Sequence, residues 1–173
     1  MNIYADNAAT TKMSRTAIDT MLPYLDLIYG NPSSLHSFGQ RAAEALLSAR
    51  HSVAEALECS AKEITFTSGG SESDNQAILS AAAVGARNNK KHIISSAIEH
   101  HAVLHTLDKL KKQGFEVTLL DAHKNGIVRP GELEAAIRPD TALVTVMYAN
   151  NEIGTVQPIS ELGGICREKG VLF

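Results

Sequence analysis

Positive charge is in short supply in this 173-residue chain. Sixteen Lys and Arg stand against 19 Asp and Glu, giving a formal net charge of −3. The basic residues are spread along the sequence. There is therefore no electrostatic footprint for nucleic acid and no polybasic patch for a membrane surface. The longest apolar stretch, residues 77–86, is too short and too punctuated to span a bilayer. The opening "MNIYADNAATTK" lacks the basic-then-apolar pattern of a secretory signal. Only two cysteines occur, Cys59 and Cys166, far apart. They make neither a disulfide framework nor a Cys-x-x-Cys site, and read as reduced thiols of a cytoplasmic protein. Internal repeats and low-complexity tracts are absent as well. The length can bury one substantial core, which implies one domain or part of a larger one.

What is present is alternation. The first forty residues are rich in Asn, Ser, Thr, Pro and Gly, with one amphipathic segment at 16–27. Residues 41–57, "RAAEALLSARHSVAEAL", place apolar side chains at helical spacing among strong helix formers. Strand-like runs then follow at 63–67, 92–95, 115–120 and 142–148. Helix-like runs lie between and after them, at 73–88, 100–113, 130–137 and 160–169. This order predicts an α/β layer structure with a mainly parallel sheet. Several strands read as continuous apolar runs, as expected when both sheet faces are covered. The closing "REKGVLF" reads as a helix stop at Gly170 followed by a strand from Val171. A strand of ordinary length would need about five or six residues, so the expectation is the front part of a longer protein.

Three polar clusters fall near the C-terminal ends of these strands, where open α/β sheets gather ligands. The first is "TSGGSESDN", Thr67 to Asn75, between a strand-like and a helix-like run. Gly69 and Gly70 permit close backbone approach, Ser71 and Ser73 carry hydroxyls, and a helix start presents free N–H groups. The same residues suit a capping box with Ser71 or Ser73 as N-cap, or a plain turn. No Gly-Lys-Ser/Thr and no Gly-x-Gly-x-x-Gly is present. The second cluster is "IEHHAVLH". His101 and His105 have the spacing of a metal pair, but no third ligand follows at a recognised spacing, and no metal is expected. His100 sits at the strand-to-helix handover, with Glu99 beside it to fix its tautomer or raise its pKa. The third is "MYANNEIGTVQP", where Asn150 and Asn151 are suited to donating to a ligand oxygen or to making a turn.

Taken together, "YADNAATT", "GNPSSLHSFGQ", "EITFTSGGSESDN", "IEHHAV" and "YANNEIGTVQP" resemble, in order and spacing, the cysteine desulfurases of the nitrogen-fixation and iron–sulfur-cluster type. These belong to the class V aminotransferase group of pyridoxal 5'-phosphate (PLP) enzymes. The resemblance implies an α/β fold, the fold type I large domain of PLP-dependent transferases, with a mixed, mainly parallel sheet and flanking helices, here incomplete. Residues 1–13 would belong with the small domain, and 14–173 would form the first part of the large one. It implies a homodimer that takes L-cysteine, releases L-alanine and passes sulfur from an enzyme persulfide to acceptor scaffold proteins. Gly70 and Ser71 match the positions that bind the PLP phosphate. His100 matches the imidazole that stacks on the pyridine ring and shuttles protons, and Asn151 the amide that contacts the ring oxygen. The lysine that anchors the cofactor, the aspartate at its ring nitrogen and the persulfide cysteine would lie beyond Phe173, so the chain alone is expected to be inactive. A class V relative acting on selenocysteine or transferring amino groups is the alternative, and a catalytically dead short binding protein is another.

Overall fold

The computed structural model describes residues 2–173. The chain divides into two compact units, Met1–Phe66 and Thr67–Phe173.

The first unit is helical. Helix α1, Arg15–Asp26, begins where the Ser14 hydroxyl accepts from the Ala17 N–H, satisfying one of the donors a helix start leaves free. Helix α2, Ser37–Ala56, starts four residues before the expected 41, because His36 serves as its N-cap through Nδ1. Gly39 in its first turn is buried, and a side chain there would strike the carbonyl oxygens of Asn31 and Ser34. This close approach is what the glycine-bearing "GNPSSLHSFGQ" stretch permits.

The strand expected at 63–67 does not form. Ser60 and Glu63 build a capping box, with the Ser60 N–H donating to Glu63 Oε2 at 2.8 Å, and Ala61–Glu63 becomes a 3-10 turn. Ile64 is extended at φ −87° and ψ 121°, yet it has no ladder partner. Its carbonyl accepts instead from Arg50 Nε, and the guanidinium lies 5.3 Å from the centre of the Phe66 ring. A side-chain donor and a cation–π contact thus replace the sheet.

The second unit is the α/β part. It runs α3 (Gly70–Arg87), β1 (His92–Ser96), α4 (His101–Lys112), β2 (Glu116–Leu120), α5 (Pro130–Ala136), β3 (Thr141–Thr145) and α6 (Ile159–Glu168). The three strands are parallel in the order β2-β1-β3. Every residue of β1 is buried, as a central strand covered on both faces requires. Period-two alternation splits its apolar side chains. Ile93 joins Ile78, Ala82, Val103, Leu107, Leu110 and Leu143 under α3 and α4. Ile94 joins Leu120, Val128, Leu133, Val144, Leu162 and Cys166 on the side of α5 and α6.

Two strand ends differ from expectation. β3 stops at Thr145 instead of 148, because the Met147 N–H turns away to the Glu99 carboxylate. The strand expected from Val171 is reduced to one parallel bridge, Leu143 with Leu172, in which the Val144 N–H donates to the Leu172 carbonyl.

At the other end of the sheet, His92 is fully buried across all three strands. Its Nδ1 lies 2.8 Å from Thr141 Oγ1 and its Nε2 2.9 Å from Thr118 Oγ1. Burial holds its pKa below the ordinary value, assisted by the Arg138 charge and opposed by Asp140 and Glu116. Below pH 6.5, its ordinary value, the unfolded chain binds a proton that folded His92 refuses, so stability falls as pH falls. The loss ends where the folded imidazole itself protonates. Urea unfolding of wild type and His92→Gln between about pH 7.5 and about pH 5 should therefore show a shallower pH dependence for the variant. Equal slopes would remove His92 as the source.

Candidate functional site

The start of α3 is set by Gly69, the N-cap, whose backbone is extended at φ 164° and ψ 177° and which supplies no side-chain cap. Ser71 and Ser73 are therefore inside the helix, which sets aside the alternative in which one of them is the N-cap. The capping work is done by Glu72. Its Oε2 accepts from both the N–H and the hydroxyl of Ser68, each at 2.6 Å. The Ser68 hydroxyl and then its N–H hold the Glu72 carboxyl below its ordinary pKa. Ser73 Oγ meets Thr67 Oγ1 at 2.6 Å. These bonds fix the 67–69 loop while leaving Gly70 and Ser71 exposed. The first bond of the helix ladder runs from the Ser73 N–H to the Gly69 carbonyl, so the N–H groups of Gly70 and Ser71 precede the ladder, at the positive end of the dipole. Open space surrounds both Gly69 and Gly70, with no atom within 4 Å of where a Cβ would stand.

The start of α4 lies against that of α3. Asn75 Oδ1 accepts from Thr106 Oγ1 at 2.7 Å, and Asn75 Nδ2 reaches the carbonyls of Ser71 (2.8 Å) and Ala102 (3.5 Å). Asn75 went unassigned in the sequence. Its signal there is the four-residue spacing from Ser71 along one helix face. His100 is the N-cap of α4, and its Nδ1 accepts from the Ala102 N–H at 3.1 Å. A neutral His100 therefore carries its proton on Nε2, and the residue is exposed. The expectation that Glu99 sets this tautomer is corrected, since a backbone N–H does so. Glu99 is 6% exposed and turned inward. Its Oε1 accepts from Ser96 Oγ (2.6 Å) and from Met147 N (2.8 Å). Burial raises its pKa, the two hydrogen bonds work against that rise, and Asp74 adds to it.

The neighbouring asparagines differ. Asn150 is buried and bonded throughout, whereas Asn151 is exposed on a turn. Asn151 and His100 line one cleft of about 260 Å³, together with Ile98, Glu99, Leu104 and Asn150. Gly70 and Ser71 are not in its wall. They stand at the adjoining helix start, joined to α4 through Asn75. His101 and His105 pack edge to face with ring centres 5.4 Å apart. Among the described residues no group of three or more His, Cys, Asp or Glu is placed to hold a metal ion.

Comparison with known proteins decides the family, since the class-V aminotransferase profile matches residues 3–173. The chain belongs to the class V aminotransferase family. Class V aminotransferases use PLP. A relative named cysteine desulfurase IscS, from Methanosarcina thermophila, is 51% identical over 171 residues, which is 99% of this chain and 42% of that protein. A putative cysteine desulfurase IscS 1 from Bacillus subtilis is 46% identical over 99% of this chain and 45% of its own length. The chain thus spans less than half the length of the curated relatives it matches. Among solved structures, a NifS-like protein superimposes with a TM-score of 0.91 at 38% identity, over 98% of this chain and 46% of that one. Another, described as SspA in complex with cysteine, gives 0.90 at 38% identity, over 97% and 48%. The α/β fold expected from the sequence, a parallel sheet with flanking helices like that of cysteine desulfurase structures, is the fold observed.

Proposed function

We propose that this class V chain carries the phosphate- and ring-binding part of a PLP-dependent cysteine desulfurase. In that reading the protein takes sulfur from L-cysteine, leaves L-alanine and forms an enzyme persulfide for iron–sulfur cluster assembly. The observation that carries the reading is the joint placement of His100 and Asn151 in one cleft, beside a helix start whose donors are open. The N–H groups of Gly70 and Ser71, with the Ser71 hydroxyl, suit a phosphate monoester. The exposed His100 ring suits stacking on a pyridine, and its Nε2 can hold or release a proton over the substrate. The Asn151 amide is free to donate to a ring oxygen. When bound, PLP supplies an electron sink for negative charge at the substrate Cα.

Relatives named cysteine desulfurases and a structural relative in complex with cysteine support L-cysteine as the substrate. We assign the persulfide to neither cysteine. Cys166 is fully buried in the α5–α6 core with its thiol pKa pushed up by burial, which suppresses the thiolate. Cys59 is exposed, but its place just after α2 matches no nucleophile of the family. Residues 1–13 belonging with a small domain, a homodimer, sulfur-acceptor scaffold proteins as partners and a cytoplasmic setting complete the proposal. Exposed Ile3, Leu22, Leu25, Leu27 and Tyr29 in the first unit support an interface there. No described helix is long and apolar enough to cross a membrane.

Replacing Ser71 with alanine removes one charge-assisted phosphate bond and should weaken PLP binding by about 1.5–3 kcal/mol. Absorbance titration with PLP measures the change, and unaltered affinity would sink the phosphate assignment. The desulfurase reading itself is tested by sulfide and alanine release from cysteine by the full-length protein.

A further inference from the structure

The loop before α4 and the loop after β3 each carry one of the groups assigned to the cofactor ring. Residues 148–157 form a small hairpin. Its bonds run from Gln157 N to the Tyr148 carbonyl, from Asn150 N to the Thr155 carbonyl and from Gly154 N to the Asn150 carbonyl, each 2.9 Å. Asn151 sits at the tip, and its side chain has no bond to another described residue. Nothing in the tip itself fixes its distance from His100.

Asn150 supplies that link. Its Oδ1 accepts from Glu152 N at 2.9 Å and Ile153 N at 3.0 Å, closing the tip. Its Nδ2 points the other way and donates to the Ile98 carbonyl at 3.0 Å, two residues before His100. Glu99 adds a second tie between the same two loops through Met147 N. Both side chains are at least nine-tenths buried, so their bonds face little competition from water. We propose that Asn150 is a positioning residue that sets the separation of His100 and Asn151 across the cleft, with Glu99 anchoring the base of the same loop. The proposal rests on the cofactor reading above, and it adds a residue whose side chain is committed to the Ile98, Glu152 and Ile153 backbone and acts through the two groups assigned to the ring.

Aspartate at position 150 offers a selective cut. It keeps an acceptor for Glu152 and Ile153 but has no donor for the Ile98 carbonyl. Asn150→Ala removes both functions without adding charge. The readout is the affinity for PLP compared with that for inorganic phosphate, which needs only the α3 turn. Both variants should bind PLP about tenfold more weakly while phosphate affinity stays within about twofold. Unchanged PLP affinity in the folded variants, or equal weakening of both ligands, would overturn the proposal. Full-length wild-type protein that takes up no PLP would count against the cofactor reading alone, and a ligand-free measurement then judges the link. At constant pH, replacing His100 with alanine should shift the Asn151 side-chain amide resonance in nuclear magnetic resonance spectra. In the Asn150→Ala background that shift should vanish with the remaining spectrum still dispersed, and its persistence would also defeat the idea.

Discussion

Replacing Ile94 with alanine is expected to lower the unfolding free energy by roughly 2–5 kcal/mol. Ile94 is fully buried in the central strand and touches a cluster drawn from β2, β3, α5 and α6 and from the segment before α5. Neighbours on several rigid elements cannot all close in on the space, so a cavity term adds to the lost transfer energy. Leu119→Ala is the control. Leu119 is 41% exposed on the outer strand β2, and its removal should cost less than about 1.5 kcal/mol. Urea unfolding of both variants measures the difference through the midpoint at constant m-value. Equal losses would mean that burial of Ile94 beneath α5 and α6 does not set it apart from the exposed face of the outer strand.

The α/β class was legible because a central strand has to be apolar on both faces. In His92-Ile93-Ile94-Ser95 the adjacent isoleucines put one apolar side chain on each face, and the helices on either side have regular apolar spacing. Residues 64–67 have the same β-branched and aromatic character, yet Arg50 takes the Ile64 carbonyl from 14 positions away. Strand propensity describes a surface ready to pair and says nothing about whether a partner arrives. The site shows the same limit. The family resemblance singled out Gly70, Ser71, His100 and Asn151, whereas the clusters at strand ends drew notice only to residues 67–75, His100 and the Asn150–Asn151 pair, because helix starts and strand exits have local signatures. The different fates of Asn150 and Asn151 have none. Asn150 is structural because the Ile98 carbonyl, 52 positions earlier, meets its amide. Glu99 turns from its neighbour His100 because Met147, 48 positions later, offers an N–H inside the protein. A buried carboxylate gains more from two donors in a dry setting than from an exposed imidazole beside it.

Replacing Gly126 with valine is the second large change expected, and it reaches the site from a distance. Gly126 has φ +72°, and a Cβ there would meet Thr155 Oγ1 at 2.6 Å and Ile153 Cδ1 at 2.8 Å. Its carbonyl accepts from Gln157 Nε2 at 2.6 Å, while Gln157 Oε1 accepts from the Val128 N–H. The buried Gln157 side chain therefore pins the base of the hairpin that carries Asn151. A β-branched residue in the left-handed region costs about 1–2 kcal/mol. The exposed Ile153 tip can swing aside, and displacement of Thr155, whose Oγ1 and Cβ both crowd the position, adds roughly 1 kcal/mol. Gly114 separates the two contributions. It has φ +87° with no atom within 4 Å of a Cβ, so Gly114→Val bears the backbone cost without the collision. Thermal unfolding should place Gly126→Val below Gly114→Val, and amide exchange at 150–156 should quicken only in the former. Identical exchange in the two variants would mean that the hairpin holds its shape without the 126 contact, leaving Asn150 as its principal tie to the cleft.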